Sequence, residues 1–149
     1  MFAQLITSFI ASAAFGVIFN VPKNSLFQCG CVGMLGWVLY FFLVENEINS
    51  IIATLAAAFI VAVISQYFAK RYKTPITIFN VSGIIPLVPG GLSYDAMKHF
   101  VENDYNVAVQ LAAKAFMLAG AIAMGLIFAE VINQLITKYN RRKLRMRKN

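Results

Sequence analysis

Residues 74–94 read TPITIFNVSGIIPLVPGGLSY, an uncharged apolar stretch of transmembrane length that proline and glycine interrupt. Pro86, Pro89 and the pair Gly90–Gly91 fall within six residues of one another. Each internal proline removes a backbone donor and its ring clashes with the preceding turn, which disfavours a continuous helix here. At helical rise, Pro86 lies ~18 Å from Thr74, past the middle of a ~30 Å hydrocarbon core. The sequence therefore predicts a helix broken within the membrane.

Composition places the whole chain in the membrane class. Its 149 residues are 60% hydrophobic and 13% charged, with a mean hydropathy of +0.70. A soluble domain is usually about a quarter charged. Any function must therefore be carried by membrane-embedded helices and short loops.

Charged residues divide the chain into five uncharged or nearly uncharged blocks, each of a length that can cross a bilayer. This predicts an all-α integral membrane protein with a single five-helix transmembrane domain over residues 1–137 and a basic tail over 138–149. The predicted spans are residues 2–20, 25–44, 48–69, 74–94 (broken near 86–91) and 113–137.

Basic and acidic connections alternate along the chain, which predicts its orientation. Lys23 marks the first connection, Glu45 and Glu47 the second, and Lys70–Lys73 the third. Positive residues are retained on the cytoplasmic side, so the N-terminus is expected outside and the C-terminus in the cytoplasm. The seven cations of the tail are interpreted as a topology anchor that meets anionic lipid, in preference to a nucleic-acid-binding arm.

Small residues recur at four-residue steps in three of the predicted spans. Such faces let membrane helices approach closely, and they predict a tightly packed bundle. The stripes are Ser8, Ser12 and Gly16 in the first span, Ala53, Ala57, Ala58 and Ala62 in the third, and Ala121, Gly125 and Ala129 in the last.

The broken span is the first candidate functional site, because broken membrane helices mark substrate and ion sites in transporters. Ser93 is expected to cap a new helix with Asp95 in its first turn. Free amides and a positive dipole end at that helix start suit a carboxylate, as in an amino acid or a small organic anion. The alternative is a kinked structural helix. The candidate substrate-binding residues are Asn80, Ser82, Pro86, Pro89, Gly90, Gly91, Ser93 and Tyr94.

Two acids are candidates for proton coupling. Asp95 stands beside the break, where it could also pair with a substrate ammonium group. Glu130 falls inside the last predicted span, where an intramembrane acid is a functional candidate by default, with Asn133 or Gln134 nearby. The alternative is that Lys114 and Glu130 both snorkel to opposite interfaces.

Enzymatic chemistry has little support in the sequence. No Gly-rich phosphate loop, HExxH or GxSxG motif is present, and the only histidine is His99. Cys29 and Cys31, two residues apart, are interpreted as buried thiols. We therefore predict no enzyme, no catalytic residues, no metal and no cofactor.

Two segments resemble a known family. Residues 84–97, IIPLVPGGLSYDAM, are similar to the IPxxPG-type motif in the fourth span of the small membrane subunit of the threonine/serine exporter family. Residues 19–22, FNVP, are a second point of similarity. The motif residues carried over are Pro86, Pro89, Gly90, Ser93 and Tyr94, while Gly91 and Leu92 replace a stretch of variable spacing.

The resemblance implies a multi-pass protein of the bacterial cytoplasmic membrane that works with a larger subunit of the same family. Together the two would export small polar metabolites such as threonine, serine or, in some members, dicarboxylates. Five spans is a small number for a secondary transporter, so a second half from another polypeptide or from self-association is also expected on physical grounds. The competing hypothesis is a structural or assembly subunit that does not itself transport.

Overall fold

Helices make up every regular element between residues 2 and 146. The computed structural model describes the backbone over that range and the side chains of residues 3–139. The all-α prediction is confirmed for this part of the chain. The helices are α1 (Phe2–Ile18), α2 (Lys23–Glu45), α3 (Ser50–Tyr72), α4 (Ile76–Ile84), α5 (Gly90–Val101) and α6 (Tyr105–Met146), with a 3-10 turn (Ile85–Leu87) after α4.

Three of these helices, α2, α3 and α6, are long and apolar enough to cross a membrane. The segments Ile76–Leu87 and Gly90–Val101 pass the same test as a pair bent by 52°, and α1 is a shorter apolar helix. The helical membrane class is thus supported by three spans, or four if the bent pair is one span. Five crossings and their orientation stay predictions.

Prolines and turn residues set the helix boundaries. Pro22, Pro75 and Pro89 each stand immediately before a helix, where a missing amide hydrogen costs nothing. Asn49 caps α3 by accepting a hydrogen bond from the amide of Ile51 at 2.9 Å. The resulting connections are tight, so most helices lie beside their neighbours in sequence.

The helices pack as two groups that share α3. Helix α4 packs against α1, α2 and α3, whereas α6 packs against α3 and α5. The predicted small-residue stripes lie at these contacts and are buried, as expected from the sequence. A Cβ atom at Gly125 would lie 2.7 Å from the carbonyl oxygen of Leu55, so α3 and α6 approach to backbone contact.

Helices α3 and α6 run parallel. Gly125 lies against Leu55 and Ala58, and further along both helices the side chain of Gln66 donates to the carbonyl of Ala129. The chain must therefore return from the end of α3 to the start of α6 through α4 and α5. This arrangement agrees with a single broken crossing between them.

The last helix is longer than the predicted span of residues 113–137. It begins at Tyr105 and continues to Met146, because residues on both sides of the predicted span, among them Ala108, Gln110 and Lys138, favour helix. Part of the predicted basic tail is therefore helical. Arg147 and Lys148 lie outside the described residues.

Candidate functional site

The broken span changes direction between Ile84 and Gly90. The 3-10 turn closes when the amide of Val88 donates to the carbonyl of Ile85 at 3.3 Å, and the amide of Gly90 donates to Val88 at 2.8 Å. Pro86 and Pro89 have no amide hydrogen to continue an α-helical pattern through this segment. The break predicted near residues 86–91 is therefore present, and both prolines are half-buried.

The break lies at mid-height of the bundle. A Cβ atom at Gly36 would lie 2.5 Å from Cγ2 of Val61 and 3.8 Å from Cδ1 of Leu87. Val61 is the central residue of α3 and is fully buried, and Leu87 belongs to the same buried cluster. The end of α4 and the start of α5 are therefore at the level of the middle of α3.

The start of α5 differs from the prediction. Helix α5 begins at Gly90, with Pro89 in the capping position, so the prediction that Ser93 caps the helix was wrong. The Ser93 hydroxyl instead donates back to the carbonyl of Pro89 at 3.0 Å, and Asp95 stands beyond the first turn. Proline followed by two glycines starts the helix one turn earlier, which leaves the amides of Gly91 and Leu92 without an intrahelical acceptor.

Gly90 and Gly91 face open space. A Cβ atom at either position would have nothing within 4 Å, and both glycines have φ outside the positive range. By contrast, a Cβ at Gly83 in α4 would lie 2.6 Å from Val32 and 2.8 Å from Val61. Neither the backbone conformation nor the packing of the described residues requires glycine at 90 and 91.

The candidate residues before the break lie inside the bundle. Ser82 is fully buried, and its side chain lies against the thiol of Cys29. Asn80 is half-buried, with its side-chain oxygen buried and unpaired. Cys29 of α2 is fully buried on this side of the break, as interpreted from the sequence, whereas Cys31 is half-buried.

The candidate residues after the break lie on the surface of the described chain. Ser93 and Asp95 are exposed, and the Tyr94 side chain is 70% exposed. They follow the open glycines along α5, which packs mainly against α6. The structure therefore places the ten candidates in four settings: a buried or half-buried pair before the break, the prolines and glycines of the break itself, an exposed set after it, and Glu130 elsewhere.

Glu130 lies at the contact between α3 and α6, apart from the break. One carboxylate oxygen accepts from Nε2 of Gln134 at 2.9 Å, and the other accepts from Nε2 of Gln66 at 3.4 Å. Gln66 also donates to the carbonyl of Ala129 at 3.1 Å. Sequence reasoning missed Gln66, although a lone amide in an otherwise apolar span was a usable signal.

A second polar contact joins the same two helices one turn further on. The Lys70 ammonium group donates to the side-chain oxygen of Asn133 at 2.7 Å. Asn133 was predicted as a neighbour of Glu130, but its side-chain contact is with Lys70. The carboxylate of Glu130 is thus held by two neutral amides.

The family of the chain is identified by a match that covers most of its length. A family model described as "Threonine/Serine exporter, ThrE" matches residues 4–132, which include both packed groups of helices, the break and Glu130. The chain belongs to the threonine/serine exporter family. The resemblance seen in residues 84–97 and 19–22 is therefore confirmed, together with a membrane transport class.

One relative of this exporter family member shows that the matched region can form part of a longer protein. An uncharacterized protein of Haemophilus influenzae is 28% identical over 125 residues, covering 78% of this chain and 42% of the relative. The chain thus spans less than half the length of that relative. No solved structure matches the chain.

Proposed function

We propose that this chain is the membrane subunit of a secondary transporter that exports threonine- or serine-type amino acids across the bacterial cytoplasmic membrane. One observation carries the proposal: in a member of the threonine/serine exporter family, the broken span changes direction at mid-height and presents two glycines to open space. Broken helices at this depth form substrate sites in transporters. Substrate would bind at the break.

The two half-helices at the break suit a zwitterion. The amides of Gly91 and Leu92 stand at the positive end of the α5 dipole, and the carbonyl groups at the end of α4 stand at a negative end. An amino acid carries a carboxylate for the first and an ammonium group for the second. Ser93 and Tyr94 are available for further hydrogen bonds from the exposed side.

A dicarboxylate is the alternative substrate, and the distribution of charge argues against it. Between Lys73 and Lys98 the only charged residue is Asp95, and residues 24–44 and 48–69 are uncharged. A second negative charge at the break would find no basic side chain on these segments to balance it. Burying an unpaired charge is costly, so a net-neutral substrate is favoured.

The proposed transporter needs a second half, supplied by another polypeptide or by a second copy of this chain. The described residues form no more than five apolar segments, fewer than in secondary transporters built from two facing repeats. More than half of the Haemophilus influenzae relative lies outside the match, so related sequences carry additional polypeptide beside this region. We propose a larger membrane subunit of the same family as partner, with self-association as the alternative.

Proton coupling is assigned to Asp95 or Glu130. Glu130→Gln is expected to remove the response of efflux to an imposed pH gradient, because the amide keeps an acceptor for Gln66 or Gln134 but cannot exchange a proton. Exchange of labelled threonine at equal pH on both sides should persist. Asp95→Asn is measured in the same way, and a wild-type pH response in both variants would exclude both acids as the coupling site.

The transport assignment is tested by reconstituting the chain with whatever membrane subunit co-purifies with it. Efflux of labelled threonine or serine from these vesicles supports the proposal. The alternative assignment is a structural subunit, and the close packing of helices α3 and α6 supports it. It is favoured if the partner alone exports at the normal rate in a strain lacking this chain.

A further inference from the structure

Gln66 is the only amide side chain of α3, and it reaches across to α6. The residue is 8% exposed, and its Nε2 donates to the carbonyl of Ala129 at 3.1 Å and to Oε2 of Glu130 at 3.4 Å. The surrounding residues 48–69 are uncharged and mainly apolar. A polar group buried in a membrane helix is costly unless it is paired, so the pairing of Gln66 with an acid points to a role in the chemistry of that acid.

The two amides that hold Glu130 differ in burial and in the helix from which they come. Gln134 stands one turn further along α6 itself, is exposed, and donates to Oε1 of Glu130 at 2.9 Å. Water can replace a donor in such an exposed position at little cost. Gln66 comes from the neighbouring helix and is buried. It is therefore the donor that the carboxylate of Glu130 cannot replace from solvent.

The charged groups around Glu130 leave its carboxylate dependent on these two amides. On α6, residues 123–137 contain no other titratable side chain. Helix α5, the other element packed against α6, lies near the opposite end of that helix. On α3, the ammonium group of Lys70 bonds to Asn133 at 2.7 Å, so this cation is engaged by a neutral partner. The titratable side chains of residues 59–73 are Tyr67, Lys70, Arg71, Tyr72 and Lys73.

We infer that Gln66 is the positioning residue for proton exchange at Glu130. Its amide holds the ionised carboxylate in the contact between α3 and α6, and this donation weakens when Glu130 takes up a proton, because hydrogen bonds to a charged oxygen are the stronger ones. Gln66 keeps its bond to Ala129 in both states, so the carboxyl group can change its charge without separating the two helices. The inference rests on the proposed function, in which Glu130 is one of two candidate coupling acids.

The test is an infrared titration of the full chain in lipid vesicles, together with any subunit that accompanies it. The carboxyl band of protonated Glu130 is assigned as the band that is missing from Glu130→Gln. In Gln66→Leu, which removes the donor and keeps a side chain of similar size, this band is expected to appear at a pH roughly one unit higher than in the wild type. Gln134→Leu is the matched control and should shift the band by no more than roughly 0.3 units, because water replaces the exposed donor.

A purely structural role of Gln66, through its bond to Ala129, predicts a different result. Gly125→Ala disturbs the same contact between α3 and α6 while leaving both amides in place. Its Tm should fall, but its Glu130 band should stay at the wild-type pH. Equal shifts of the band in Gly125→Ala and Gln66→Leu would overturn the positioning role. If Gln66→Leu does not fold, Gln66→Asn serves instead, because the shorter side chain withdraws the amide from the carboxylate and keeps a polar group.

Transport assays separate this inference from the proposed function. An unchanged band in the Gln66 variants, or no Glu130 band at any pH at which the wild type is folded, would overturn the positioning role. A shifted band together with a normal response of Glu130→Gln efflux to a pH gradient would retain Gln66 as the positioning residue and reject Glu130 as the coupling acid. A lost gradient response in Glu130→Gln with an unchanged band in the Gln66 variants would do the reverse.

Discussion

Replacing Gly91 by leucine is expected to lower threonine or serine efflux by roughly tenfold or more while leaving the folded protein as stable as the wild type. The loss follows from the free amides of Gly91 and Leu92, since hydrogen bonds to a charged group contribute about 1.5–3 kcal/mol and tenfold in affinity is about 1.4 kcal/mol. A leucine side chain at the start of α5 would cover them. Gly90→Leu should behave in the same way.

The Gly91→Leu variant is expected to be as stable as the wild type, because no described residue lies close to the position of the added side chain. A Cβ atom at Gly91 has no neighbour within 4 Å, and the residue does not have a positive φ. Glycine near a helix start also loses more conformational freedom on folding than leucine does. Tm should therefore change little or rise slightly.

Efflux from reconstituted vesicles and Tm of the purified protein are measured side by side for Gly91→Leu and for Gly120→Leu. Gly120 lies exposed on α6 and is likewise free of neighbours within 4 Å, so it controls for adding an apolar side chain to an open position. Both quantities should be unchanged at Gly120. Normal efflux in Gly91→Leu would remove the break from the substrate path.

The sequence predicted the helical class and the position of the break, because both depend on local features. Charged residues limit where an apolar helix can cross, and α2 at Lys23–Glu45 and α3 at Ser50–Tyr72 agree closely with predicted spans 25–44 and 48–69. The clustered Pro86, Pro89 and glycines allow few backbone solutions. Such features act within a few residues of one another, so they can be recognised without knowledge of tertiary contacts.

The ends of α5 and α6 were harder to predict, for two different reasons. A serine followed two residues later by an acid resembles a helix start, but Pro89 fixes the backbone earlier and Ser93 bonds back to it. In α6, the limits of an apolar segment do not coincide with the limits of the helix, because residues outside the predicted span, such as Gln110 and Lys138, are good helix formers. At the start of α5, the backbone constraint imposed by Pro89 therefore outweighed the capping preference of Ser93.

The pairing of polar groups between helices was beyond sequence reasoning. Gln66 and Glu130 are 64 positions apart, and Ser12 and Pro86 are brought level only by the antiparallel packing of α1 and α4. Ser12 was recognised as part of a small-residue stripe, which is correct, but its unpaired hydroxyl depends on the neighbouring helices. A stripe of small residues predicts close approach without saying which atoms meet.

The close approach of α3 and α6 leaves no room for a side chain at Gly125. Gly125→Leu is expected to destabilise the protein by roughly 3 kcal/mol, because overpacking at a fixed contact costs about 1–3 kcal/mol and here the obstacle is backbone. A Cβ atom would lie 2.7 Å from the carbonyl of Leu55, 2.9 Å from Cβ of Ala58 and 3.0 Å from the amide nitrogen of Phe59. None of these atoms can move without displacing α3 itself.

Separating α3 from α6 would also break the hydrogen bond between Gln66 and the carbonyl of Ala129, one turn beyond Gly125. The expected measurement is a fall of Tm by several degrees, with loss of folded protein in size-exclusion chromatography. Gly120→Leu, the same change five positions earlier on the same helix, should stay within about 0.5 kcal/mol of the wild type. Equal Tm for the two variants would mean that α3 and α6 do not pack through Gly125, and the parallel arrangement of the two helices would lose one of the two contacts that define it.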